Sequence, residues 1–266
     1  MGVIYGVASG PRITNVYVGS LSGGSGIPWS GVYLNYLSSG NLGSSTYGYE
    51  IPVGTIVNTT ANRTSNGQLN ALSWINLNSI SIRFNQNVSI PSGNLSIVGV
   101  TGVYNITGFS YNSGDRTASW FFNQTNRPDI SGIRADKIRV TLSASGLNST
   151  TLGLPLAGGI TNATWTTTGD STTAAGTTLP SRGSNNSDFS LRLNLLPGGP
   201  STDTAVNVID QQIVNTRQNA TTSSGNYLFY VDVNGDGIIN GSSSVFGTDA
   251  WWVAQKLLTT LPTGNI

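Results

Sequence analysis

From about Asn76 onward, apolar and polar residues alternate with a period of two, the spacing that sends every second side chain of a strand into a core. Ile80, Ile82 and Phe84 share one face. The pattern returns in Leu95-Ser-Ile97, Tyr104-Asn-Ile106, Ala118-Ser-Trp120, Ile138-Arg-Val140-Thr-Leu142 and Phe189-Ser-Leu191-Arg-Leu193-Asn-Leu195. Turn residues such as Pro91-Ser-Gly93 and Asn112-Ser-Gly-Asp115 separate these runs. No long amphipathic helix intervenes, so the pattern predicts a mainly β chain: an antiparallel two-sheet sandwich, not βαβ units. Upstream, Ile13 to Val18 reads as a first strand, and the Gly/Ser stretches Ser20 to Gly26 and Ser38 to Ser45 read as long loops. Trp29, Tyr33, Tyr36, Tyr47 and Tyr49, scattered among them, either pin the loops onto the sheet or stack on sugar rings. Thr161 to Asp188, rich in Thr, Ser, Gly and Asn, reads as a loop or linker.

The pattern changes near the C-terminus. In Asp232-Val-Asn234-Gly-Asp236-Gly237-Ile238-Ile239-Asn240, oxygen side chains stand at alternate positions around a glycine. A hard cation needs several oxygens converging from one tight turn, and this is the front half of an EF-hand calcium loop, with the Ile238 carbonyl at position 7. A weaker copy begins at Gly199, placing Ser201, Asp203, Ala205 (by its carbonyl), Asn207 and Asp210 at positions 3, 5, 7, 9 and 12. The segments after the two loops align at a larger offset than the loops themselves. An insertion of about six residues, Gly241 to Phe246, therefore separates Asn240 from its closing acid, and Asp249 fills that role better than Ser243. On the helix that follows, the adjacent indoles of Trp251 and Trp252 cannot both face one core. Trp252 is expected inside. Trp251 is left for an interface or for its own sandwich.

Two loop-helix repeats with calcium ligands, over roughly residues 195 to 262, resemble a dockerin module. The resemblance implies a small α module packed as an antiparallel pair, and cohesin-like partners gripped at loop positions 10 and 11, which here read Val208-Ile209. The strand runs over roughly residues 75 to 160 resemble the Ig-like domains of bacterial surface-layer and large secreted surface proteins. Together they imply a β-sandwich domain over residues 1–194, with its Ig-like core over about 75–194, followed by a dockerin-like module over 195–266.

Composition narrows the function. Charged residues make up 9% of the 266 and the net charge is +1, which leaves no electrostatic footprint for nucleic acid. No stretch is long and apolar enough to span a membrane. The chain contains no Cys and no His, and Glu50 is its one glutamate, so His-based triads, thiol nucleophiles and His zinc sites are impossible within it. A glycosidase could still use two Asp. However, Asp203, Asp210, Asp232, Asp236 and Asp249 are accounted for as cation ligands, and Asp115, Asp129, Asp136, Asp170 and Asp188 lie in turn-like surroundings. Glycosylation triplets begin at Asn58, Asn62, Asn87, Asn94, Asn105, Asn123, Asn148, Asn162, Asn185, Asn219 and Asn240. Chance alone supplies about seven.

The expectation is a non-enzymatic structural protein of the bacterial cell surface or exterior. There Ca2+ is plentiful enough for a module of roughly 10⁻⁴ to 10⁻³ M affinity. Its partners would be further copies of itself or other surface proteins, with the apolar end Val3-Ile-Tyr-Gly-Val7 able to add a strand to a neighbour. The alternative is an adaptor or adhesin that takes a cohesin-like domain or a glycan.

Overall fold

The computed structural model describes residues 10–24, 26–52, 70–124, 134–157, 188–201 and 203–264. The alternating runs form strands β4 (Ser79–Phe84), β6 (Leu95–Gly99), β7 (Val103–Asn112), β8 (Thr117–Gln124), β9 (Asp136–Leu142) and β11 (Phe189–Leu195). The first strand is β1 (Ile13–Gly19), and short strands follow at β2 (Gly43–Ser44) and β3 (Gly48–Glu50). Among the described residues these nine join in one antiparallel sheet, in the order β11-β9-β6-β7-β8-β4-β1-β3-β2. Two small ladders stand apart, one pairing β5 (Val88–Ser89) with β10 (Asn148–Ser149), the other pairing β12 (Ala220–Thr221) with β13 (Ile238–Ile239).

The period of two decides which residues enter the core. Ile138, Val140 and Leu142 on β9 lie opposite Leu193, Leu191 and Phe189 on β11, and all six are buried. Ile80, Ile82 and Phe84 are buried on β4, opposite Trp120 and Ala118 for the first two. Strand β7 joins the two ends of the ladder. Its start registers Tyr104 with Ile97 and Val103 with Val98 on β6, whereas its whole length from Tyr104 to Asn112 pairs with β8, with a bulge between Ile106 and Gly108. The Trp120 indole on β8 donates to the Ser92 carbonyl at 2.8 Å, in the turn that leads into β6. Side chains from both ends of the ladder thus pack in a single core.

Among the described residues three short α-helices accompany the strands: α1 (Gly31–Ser39), α2 (Val208–Asn215) and α3 (Asp249–Lys256). The last two follow the two acidic loops, as expected. Helix α1 replaces part of the expected loop region, and Ser38 to Ser45 comprises the end of α1, a turn and β2. The local reason is a complete set of helix signals. The Ser30 side chain accepts from the Tyr33 N–H, Tyr33 and Leu37 stand one turn apart and are buried, and Gly40 ends the helix. Trp29, Tyr33, Tyr47 and Tyr49 are buried and pin the N-terminal segment, while Tyr36 is half-buried with its ring edge-on to Tyr227.

Asp136 departs from its expected place in a turn. It is fully buried at the start of β9, where it accepts from the N–H groups of Thr101 and Lys137 and from the hydroxyls of Thr101 and Tyr104. With four donors on one carboxylate, it braces the β6–β7 turn. Asp129 and Asp170, most of Thr161 to Asp188, and Val3 to Val7 lie outside the described residues. So do the triplets at Asn58, Asn62, Asn162 and Asn185. Of the rest, Asn105 and Asn219 are exposed, while Asn94 donates both amide hydrogens to the carbonyls of Ser143 and Ser145.

The buried cluster runs without a break across residue 194: Tyr49 and Trp74 pack against Phe229, Trp29 packs against Trp74, and Leu72 bridges Leu195. A shared core predicts one cooperative unfolding transition. Ile82→Ala should lower the stability of that whole unit by about 2–5 kcal/mol, read as an earlier denaturant midpoint at unchanged slope. Two separate transitions, with only the first displaced, would contradict the continuous core.

Candidate metal centre

Loop residues 232–240 are held by the carboxylate of Asp232. Its Oδ1 accepts from the N–H groups of Gly235 at 2.8 Å and Asp236 at 3.1 Å, and its Oδ2 accepts from Gly237 N–H at 2.8 Å and from the Tyr227 hydroxyl at 2.5 Å. Gly235 and Gly237 take positive φ of 71° and 96°, which turns three successive N–H groups onto one acid. Asp249, the first residue of α3, reaches back across the loop. It accepts from Val233 N–H at 2.7 Å, Asn234 N–H at 3.3 Å and Asn240 N–H at 2.9 Å. Asn240 returns the contact by accepting from Asp249 N–H at 2.9 Å. Asp236 is exposed, accepting from Ile238 N–H at 2.8 Å and from the Asn234 amide at 3.0 Å, and Asn234 Oδ1 accepts from Asp236 N–H at 3.0 Å.

The upstream loop repeats this framework. Asp210 on α2 accepts from Ser201 N–H at 2.7 Å and Asn207 N–H at 2.8 Å. Asp203 Oδ1 accepts from Ala205 N–H at 2.9 Å, and its Oδ2 from the Asn207 amide at 3.1 Å. Asp203, Ala205, Asn207 and Asp210 thus hold the same mutual relations as Asp236, Ile238, Asn240 and Asp249. The first three pairs are 33 apart in number and the fourth is 39 apart, which places six extra residues after Asn240. Each loop also pairs with the segment that follows a helix: Ile238 with Thr221 after α2, and Ala205 with Thr260 after α3. Helices α2 and α3 pack together. The second loop lies against the N-terminal region, where Ser30 N–H donates to the Gly235 carbonyl, Ser30 Oγ to the Asp236 carbonyl, the Asn76 amide to the Asn234 carbonyl and Ile75 N–H to the Val233 carbonyl. The Trp29 ring covers Gly235 so closely that a Cβ there would overlap it.

Comparison with protein-family models, with curated proteins and with solved structures found no match. The chemistry of the site is therefore read from its own residues.

Asp232 and Asp249 are fully buried acids. Burial pushes the Asp232 carboxyl up to about 7, with the Asp236 charge adding to the rise and the Tyr227 hydroxyl opposing it. Burial likewise pushes Asp249 well above the usual carboxylate range, and the neighbouring charges that raise it further, Asp232 and Asp236, are of its own sign. Tyr227 is raised in turn, by burial and then by the Asp232 charge. Three carboxylates that repel one another, joined by two amide oxygens and the Ile238 carbonyl, form an all-oxygen donor set that suits a hard cation such as Ca2+. In the upstream loop Ser201 Oγ is buried and finds no hydrogen-bond partner among the described residues, consistent with a ligand position, although Gly199 brings no side chain. Among the described residues, no three acid, His or Cys side chains already converge on one point. The carboxylates are folded onto N–H groups of their own loops. Asp236 is the exposed carboxylate of the second loop, whereas Asp232 and Asp249 are buried and hold backbone N–H groups.

Sequence reasoning missed Tyr227 and the clasp by Trp29, Ser30 and Asn76, which come from outside the loop motif and carry no spacing signal. It expected Trp252 inside, where it is found. Trp251 is half-buried beside Phe246 of the insertion, with ring centroids 4.7 Å apart.

A carboxyl raised in the folded state keeps its proton to higher pH than in the unfolded chain, so the fold binds more protons between about pH 4 and 7. In chelator, stability should therefore be highest below pH 4 as far as these acids are concerned and fall as pH rises toward 7. Excess Ca2+ should flatten or reverse that slope by replacing the proton. Denaturant titrations at four or five pH values in chelator and in calcium check this. A chelator curve that rises from pH 5 to 7 would contradict the buried-carboxylate assignment.

Proposed function

We propose that this chain is a non-enzymatic, extracellular structural subunit, with an Ig-like β-sandwich body and a dockerin-like C-terminal module that binds Ca2+. The observation that carries the reading is the repeated framework of the two acidic loops, each closed by an Asp of the following helix and one of them holding mutually repelling buried carboxylates. A bound cation would offset that repulsion and lock the loop to Trp29, Ser30 and Asn76, so calcium would stiffen the junction between module and body. Weak, few-carboxylate loops of this kind fill only where calcium is abundant, which supports a location outside the cell, at a bacterial surface. A catalytic role finds little support, since Asp136 spends its carboxylate on four structural hydrogen bonds.

The second reading is an adaptor that grips a separate protein, and one observation favours it. Val208 and Ile209, at the loop positions through which dockerins meet cohesins, are 75% and 53% exposed. A glycan-binding role has less to support it, because Trp29, Tyr33, Tyr47 and Tyr49 are buried and Tyr36 is half-buried against Tyr227.

Sedimentation velocity in millimolar calcium and in excess chelator separates these readings. A structural subunit should give large species in calcium that shrink in chelator. A compact monomer in both conditions would overturn self-assembly and leave the adaptor.

A further inference from the structure

Two exposed apolar side chains meet where the second acidic loop lies against the N-terminal region. Ile27 is 60% exposed and Phe246 65% exposed, and they flank a groove of about 320 Å³ floored by Ile75 and Trp252. Asn76 and Asp236 supply polar groups at its wall. Phe246 comes from the six-residue insertion that distinguishes the second acidic loop from the first, so the insertion builds one side of the groove. An apolar concavity rimmed by polar groups is the form of a docking site.

The occupant is indicated by where the chain begins its first strand. The groove lies at the C-terminal end of β1, since Ser20 accepts from Trp29 N–H and its hydroxyl donates to the Ile27 carbonyl. The chain comes into β1 at the other end, where the Pro11 carbonyl accepts from Ala157 N–H. Gly10 and Gly19 are thus separated by roughly 30 Å, at about 3.3 Å per residue of strand. The apolar run Val3-Ile4-Tyr5-Gly6-Val7 precedes Gly10 by three to seven residues, a reach of about 10–24 Å. It cannot lie in the groove of its own copy.

We infer that the groove receives the Val3–Val7 segment of a second copy of this chain. The inference rests on the self-assembling reading and names its acceptor site. In extended form Val3, Tyr5 and Val7 share one face, which suits the apolar floor, and the exposed Asp236 at the wall can accept from the Tyr5 hydroxyl. Because the chain enters β1 at the end opposite the groove, the contact is head-to-tail and hands on from copy to copy, the geometry that builds a filament. Asp236 belongs to both the groove and the acidic loop, so calcium in the loop and the segment in the groove share a residue, and assembly is coupled to the ion.

Two full-length variants test this by complementation. Phe246→Asp blocks the acceptor and keeps the donor; Tyr5→Asp blocks the donor and keeps the acceptor. In calcium each alone should sediment as a monomer, its association weakened at least tenfold. Their mixture should form a one-to-one dimer and nothing longer. Ile27→Asp should behave as Phe246→Asp does, which guards against a folding defect peculiar to one variant, and circular dichroism checks each fold. Wild-type-like assembly of both acceptor variants would overturn the groove as the site and favour addition at a sheet edge. Variants that stay monomeric both alone and mixed, while the wild type assembles, would overturn the pairing of this donor with this acceptor. A wild type that never assembles would overturn the structural-subunit reading itself, and the inference with it.

Discussion

Two carboxylates inside the C-terminal module, Asp232 and Asp249, set the terms for the rest of the structure. Each is removed from water, each feels the other's charge, and both feel Asp236. Leaving such groups unpaired costs several kcal/mol, and the chain answers with backbone. Gly235 and Gly237 adopt φ values that turn successive N–H groups onto Asp232, and Asp249 gathers Val233, Asn234 and Asn240. Hydrogen bonds satisfy the oxygens without cancelling the charge. The cancellation is left to a proton or a cation, and calcium enters the account at that point.

The loop also matters to the body of the protein. The faces of its peptide groups away from the acids are hydrogen-bonded by Ser30, Ile75 and Asn76, and Trp29 lies on Gly235. Trp29 in turn packs against Tyr33 and Trp74, and its indole donates to Asn76. A change in loop geometry is therefore transmitted to the segment between β1 and α1 and to the residues just before β4. The groove between Ile27 and Phe246 has one wall on each side of this junction.

Much of the sheet was legible in the sequence, because strands that bury one face carry that burial as alternation; β4, β9 and β11 are clear cases. The acidic loops were legible for a related reason: oxygen ligands must alternate around a turn, and Asp232, Asn234 and Asp236 do. Even the six-residue insertion could be read from the change of offset between the two copies. Helix α1 was obscured by its Gly/Ser-rich flanks, which resemble loop composition, although Ser30 and Gly40 mark its two ends. Asp136 was misread because its neighbours look turn-like, whereas its partners Thr101 and Tyr104 are more than thirty residues away. The clasp on the second loop was invisible for the same reason. Contacts such as Ser30 with Asp236 join residues 206 apart and leave no local pattern.

The second acidic loop is proposed as a calcium site whose ion neutralises buried charge. Native mass spectrometry of the purified chain, sprayed after equilibration with calcium, tests it most directly. At least one calcium should be retained per chain, and it should be lost when Asp236 and Asn240 are both changed to Ala while the upstream loop is left intact. A wild-type chain that carries no calcium under these conditions, or a double variant that carries as much as the wild type, would contradict it.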